Sequence, residues 1–96
     1  MIKPYLTNKN MLVPYYLMFS YAYYQENESL IEDAEYDQIC QDLITNWNDI
    51  THWHKPLLNL ESLKAGTGYD IKYPDRVIYA ALALIKKDKL HNNEMD

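Results

Sequence analysis

One stretch of this chain keeps a single period without a miss. Tyr36, Ile39, Cys40, Leu43, Ile44 and Trp47 recur at i, i+3, i+4, i+7, i+8 and i+11, and Asp37, Gln38, Gln41, Asp42 and Thr45 fall off that stripe. A strand turns its faces every two residues, so only an α-helix places these six side chains together. An apolar stripe of this width has to be covered by another element. The stretch therefore commits the chain to helix-on-helix packing.

The partner stands just upstream. Pro14 suits the first turn of a helix, where its missing donor costs nothing. Beyond it no breaker occurs until Glu26-Asn27-Glu28-Ser29. Tyr15, Met18 and Ala22 form one stripe, and Leu12, Tyr16, Phe19 and Tyr23 form a second beside it. Ser29-Leu30-Ile31-Glu32 reads as a capping box opening the next helix, with Glu32, Asp33 and Glu35 favoured near its positive end. The pattern predicts an antiparallel helical hairpin over about 14–27 and 32–48. Pro74 predicts the start of a last helix over about 74–90, with Val77, Ile78, Ala81, Leu82, Leu84 and Ile85 as its buried face. Lys86-Lys87-Asp88-Lys89 and Asn92-Asn93 close it. Residues 1–10 read as an extended arm or turn, and Asn48 to Leu60 as irregular. The expected fold is all-α, in a single domain over residues 1–96.

Ten of the 96 residues are tyrosine, whose hydroxyl must reach water or a partner. The net charge is −5 and no basic stripe is visible, so direct nucleic-acid binding is not expected. The single cysteine, Cys40, lies on the apolar stripe and reads as core packing; the usage suits a reducing, cytoplasmic setting. No apolar run approaches the roughly 18 residues of a membrane span.

Candidate chemistry is sparse. His52 and His54 alternate around Trp53, but zinc needs three or four ligands, so no metal site is expected. Ala65-Gly66-Thr67-Gly68 reads as a turn and lacks the lysine and spacing of a phosphate loop. No nucleophile, base and orienting acid form a convincing trio, so no catalytic residue is assigned. The remaining constellation is Tyr21-Ala22-Tyr23-Tyr24, brought by the hairpin beside Asp33-Ala34-Glu35-Tyr36-Asp37. Aromatic faces suit a flat cationic ring, and carboxylates accept from hydroxyls and amide N–H groups. By residue type alone the same groups also serve as a tyrosine-rich core with dipole-friendly acids, and both readings stand.

These residues resemble a known family. From about Tyr15 to Trp47 the chain is similar to the small N-terminal Ia domain of bacterial NAD-dependent DNA ligases. The family pattern is Tyr-His, a short turn, an apolar residue, then Asp-x-Glu-Tyr-Asp opening a helix. Tyr23-Tyr24, Ile31 and Asp33-Ala34-Glu35-Tyr36-Asp37 fit it without a gap over about a third of the chain. In that family the domain recognises the nicotinamide mononucleotide half of NAD. The resemblance implies that Tyr23 and Tyr36 stack on the nicotinamide ring. It also implies that Asp33 and Asp37 meet its ribose and amide, and that Tyr24, where the family has histidine, stacks nearby. The sequence holds no Lys-x-Asp-Gly nucleotidyltransferase motif.

The resemblance thus implies a non-catalytic module that binds nicotinamide mononucleotide or NAD as a ligand and requires no cofactor. It also implies a protein partner such as a ligase or replication protein, as would suit a bacteriophage or other accessory protein. Two alternatives belong to other classes. One is a protein–protein interaction module using the aromatic face of the first helix, without nucleotide binding. The other is a small hydrolase or transferase with Asp33 and Asp37 as an acid–base pair.

Overall fold

The computed structural model describes residues 3–66 and 71–94, with side chains as far as Leu90. The fold is all-α, with no strand among the described residues. Its helices are α1 (Leu12–Glu26), α2 (Asp33–Thr45), α3 (Leu60–Ala65) and α4 (Asp75–Glu94). Short 3-10 turns occupy Pro4–Leu6, Lys9–Met11, Trp47–Asp49 and Lys55–Leu57.

The first helix is the core. It packs against both α2 and α4, and α2 in turn carries α3. Leu12, Val13, Tyr16, Leu17, Met18, Phe19, Ser20 and Ala22 are all buried along it. A helix apolar nearly all round has to be wrapped on most sides. Two stripes therefore understate it: Val13, Leu17 and Ser20 make a third buried row. From α2 come Ile39, Cys40 and Leu43; from α4 come Val77, Ala81 and Ile85. Side chains of the larger kinds contribute about 1.5–3 kcal/mol each when fully buried.

The boundaries have local causes. Pro14 lies in the first turn of α1, which opens two residues before it. Asn27 ends α1 in the left-handed region (φ 54°), which asparagine tolerates, and the amides of Asn27 and Glu28 both return to the Ala22 carbonyl. The capping box does not form: Glu32 takes the N-cap position without a side-chain bond, and the Ser29 hydroxyl donates to the Ile31 carbonyl instead. Pro74 precedes α4 rather than opening it, its carbonyl accepting the amides of Val77 and Ile78.

Helix α2 stops at Thr45, short of the expected 48, and Trp47 packs against the core from a 3-10 turn. The connection after it is more regular than expected. Asn59 caps α3 by accepting from the amides of Glu61 and Ser62 (2.8 and 3.2 Å), and Gly66 closes that helix at φ 72°. The continuation of the turn, Thr67-Gly68, lies outside the described residues. The last helix runs past the expected 90 to Glu94, through Asn92-Asn93.

The N-terminal segment, expected as an extended arm or turn, is a pair of 3-10 turns fastened to the core. Tyr5 is buried, with its ring 5.3 Å from Tyr15 and 6.0 Å from Phe19. Its hydroxyl donates to the Glu35 carboxylate, which also accepts from Lys3 Nζ at 2.7 and 2.9 Å. These two bonds, that of Lys3 first, hold the Glu35 carboxyl below its ordinary value. A carboxyl so depressed stabilises the fold when ionised. That contribution is complete above the unfolded carboxylate value and fades as pH falls through the folded one.

Two outcomes follow for the fold. Glu35→Gln should lower stability by up to about 1 kcal/mol near pH 7, the side chain being only partly buried, and the deficit should shrink towards about pH 3; urea titrations at both values measure it. Burial and the nearby Asp37 charge push the Cys40 thiol up to about 11. It should therefore resist alkylation near pH 8 until denaturant opens the core, as mass spectrometry would show.

Candidate functional site

The turn between α1 and α2 leaves a cleft where the last turn of α1 meets the first turns of α2. Its volume is about 260 Å³. All five residues singled out by sequence line it: Tyr23 and Tyr24 from α1, and Asp33, Tyr36 and Asp37 from α2. The turn itself adds Ser29, Leu30 and Ile31, while Phe19 reaches it from the core and Gly66 from the C-cap of α3.

The tyrosines take different parts. Tyr23 is 52 % exposed and meets the half-buried Tyr24 edge to face, with ring centroids 4.9 Å apart. Such a pair is a firm wall with one ring left open to solvent. Tyr36 is set deeper. Its ring stacks on Tyr16 at 5.7 Å, and its hydroxyl shares a 2.7 Å hydrogen bond with the fully buried Ser20. Burial pushes its phenol up to about 12, although its hydrogen bonds with Ser20 and Tyr16 work the other way. It is therefore a neutral wall whose hydroxyl is committed to α1. Tyr21 does not join the site: its ring meets Tyr73 edge-on at 5.3 Å, and its hydroxyl donates to Glu26 at 3.0 Å.

The carboxylates are sorted by helical phase. Asp33 and Asp37 lie one turn apart and both line the cleft, whereas Glu35 between them is turned away to Lys3 and Tyr5. Like charges at this spacing repel by about 0.2–0.5 kcal/mol, relieved for Asp33 by the positive end of α2. No lysine, arginine or histidine is among the described residues lining the cleft. The result is an acidic pocket with aromatic walls. It suits a flat, electron-poor or cationic ring bearing hydroxyl or amide donors, and it opposes a phosphate inside it.

Phe19, Ser29, Leu30, Ile31 and Gly66 were not singled out as site residues by the sequence. Gly66 is reached only through the packing of α3 on α2, for which no local signal exists. Phe19 was visible as a core residue on the α1 stripe, and only the end-on view of the hairpin places it at the cleft floor.

On the aromatic face of the first helix Tyr16 and Phe19 are buried and Tyr15 is half-buried, while Tyr23 is exposed. Among the described residues no group of three or more potential metal-binding side chains occurs, around His52 and His54 or elsewhere. The imidazole of His52 instead accepts the backbone amide of His54 at 3.0 Å. No helix among the described residues is long and apolar enough to cross a membrane. Comparison with protein-family models, with curated proteins and with solved structures found no match for this chain.

Proposed function

We propose that the chain binds nicotinamide mononucleotide, or the nicotinamide end of NAD, in the cleft between α1 and α2, and that it does so without catalysing a reaction. What supports the reading is the meeting of Tyr23, Tyr24, Asp33, Tyr36 and Asp37 around one open pocket. Ring walls favour a pyridinium by about 0.5–2 kcal/mol, more as water is excluded. The two carboxylates accept from ribose hydroxyls and from the carboxamide.

The volume of about 260 Å³ falls just below the roughly 300–1,000 Å³ usual for drug-sized ligands. It accommodates a ring and ribose rather than a whole dinucleotide. The phosphate then points away from Asp33 and Asp37 to solvent. Any adenylate transfer belongs, in this reading, to a partner such as a ligase or another replication protein.

Titration with nicotinamide mononucleotide, followed by tyrosine and tryptophan fluorescence and by amide NMR shifts, tests the reading. Tyr23→Ala and Asp37→Asn should each weaken binding about tenfold. Because Asp37 lies beyond the first turn and is repelled by Asp33, Asp37→Asn should leave the fold unweakened to within about 0.5 kcal/mol. Nicotinamide riboside should bind about as well as the mononucleotide, and the reduced, uncharged dihydronicotinamide form distinctly worse. No shift at millimolar mononucleotide, or equal binding by the reduced form, would overturn the proposal.

A further inference from the structure

The outer face of α4 takes no part in the core or the cleft, and its composition is unlike the rest of the chain. Arg76, Tyr79, Ala83, Lys86 and Leu90 follow one another at steps of three, four, three and four residues, all exposed. That spacing sets them in one row along the helix, a seam against which another helix can lie. It runs opposite Val77, Ala81 and Ile85, which face the core. Tyr79 is 69 % exposed and Leu90 53 %.

Trp53, 66 % exposed, stands at the N-terminal end of the seam, where the Arg76 guanidinium lies 5.6 Å from its ring. Isolated exposed apolar residues need no explanation, but aromatic side chains gathered on one face do. Tryptophan, tyrosine and arginine are the side chains most often found to anchor interfaces.

The charge of the seam is the second observation. The chain carries 14 acidic residues against nine lysines and arginines. Arg76, Lys86 and the adjoining Lys87 gather on this one face, and like Lys55, Lys64 and Lys72 they make no salt bridge among the described residues, whereas Lys3, Lys9 and Lys89 do. Asp75 only flanks the seam, and Asp88 falls on the opposite side of the helix. Arg76 is the chain's one arginine, and it sits in the first turn of a long helix, where the backbone dipole disfavours a cation. Besides the Trp53 ring and the neighbouring Asp75, it meets no ion-pair partner among the described residues. A carboxylate brought from outside would supply one.

We infer that the outer face of α4, with Trp53 at its end, is a docking surface for an acidic amphipathic helix of another protein. Arg76 to Leu90 spans about 21 Å, so the complementary segment is about 14 residues, four turns, long. Its apolar residues cover Tyr79, Ala83 and Leu90, and its carboxylates pair with Arg76, Lys86 and Lys87. A second copy of this chain is a poorer occupant, because its seam would bring the same three cations. A nucleic-acid duplex would pair with the cations but leave the apolar residues Tyr79, Ala83 and Leu90 uncovered.

The test uses a fluorescein-labelled helical peptide with leucines at seam spacing and glutamates beside them. Controls are the same peptide with lysines for glutamates, and a labelled DNA duplex. The acidic peptide should shift amides along α4 and at Trp53 while leaving the cleft unperturbed. Its affinity should fall at least about tenfold with Tyr79→Ala, with Arg76→Glu, and with Lys86 and Lys87 both changed to Glu. Added salt should weaken it. All these positions are exposed, and circular dichroism verifies that the variants keep their helices. Equal binding of the lysine peptide, tighter binding of the duplex, concentration-dependent dimerisation through α4, or no α4 shift at millimolar peptide would each overturn the inference.

Discussion

Everything in this fold depends on burying α1. A 15-residue helix that is apolar on nearly every side has no stable existence in water by itself. It requires α2 on one side and α4 on another, and it draws the N-terminal segment in through Tyr5. The cleft is a by-product of the same demand. Towards its C-terminal end α1 presents Tyr23 and Tyr24, and the chain reverses at Asn27 to lay α2 alongside. The open end of that reversal is the pocket.

The hairpin could be read from sequence because its signals are local. The stripe from Tyr36 to Leu43 needs only helical periodicity, and Pro14 marks a start by its chemistry. Elements defined by tertiary contact escaped. Helix α3 is six residues long, too short for a period to show, and is held by the Asn59 cap and by packing on α2. The buried role of Tyr5 depends on Glu35, 30 residues away. For the site, the five candidate residues could be placed together because two helices joined by a short turn must bring their adjoining ends close. The division of labour among them was not legible. That Tyr36 spends its hydroxyl on Ser20, while Tyr23 stands in solvent, is decided by helix packing that no spacing encodes.

The molecule has two surfaces of opposite character. The cleft gathers Asp33 and Asp37 with no cation among its described lining. The outer face of α4 gathers Arg76, Lys86 and Lys87, with no carboxylate among the described side chains of its seam. Both departures from even mixing go without a salt bridge among the described residues. They involve side chains that contribute little to the core, so each can change without unfolding the other.

The Ser20–Tyr36 contact also bears on how this protein can diverge. The two hydroxyls bond each other, and the Tyr16 hydroxyl bonds both, in the interior of the α1–α2 interface. Loss of one member leaves the others short of a partner in a buried place, which costs more than losing the network together. A lineage can therefore trade this network for apolar residues only by passing through a less stable ancestor, or by changing its positions at once. Tyr36 also forms a wall of the cleft, so drift in what the pocket accepts is tied to a serine on a different helix that never touches solvent.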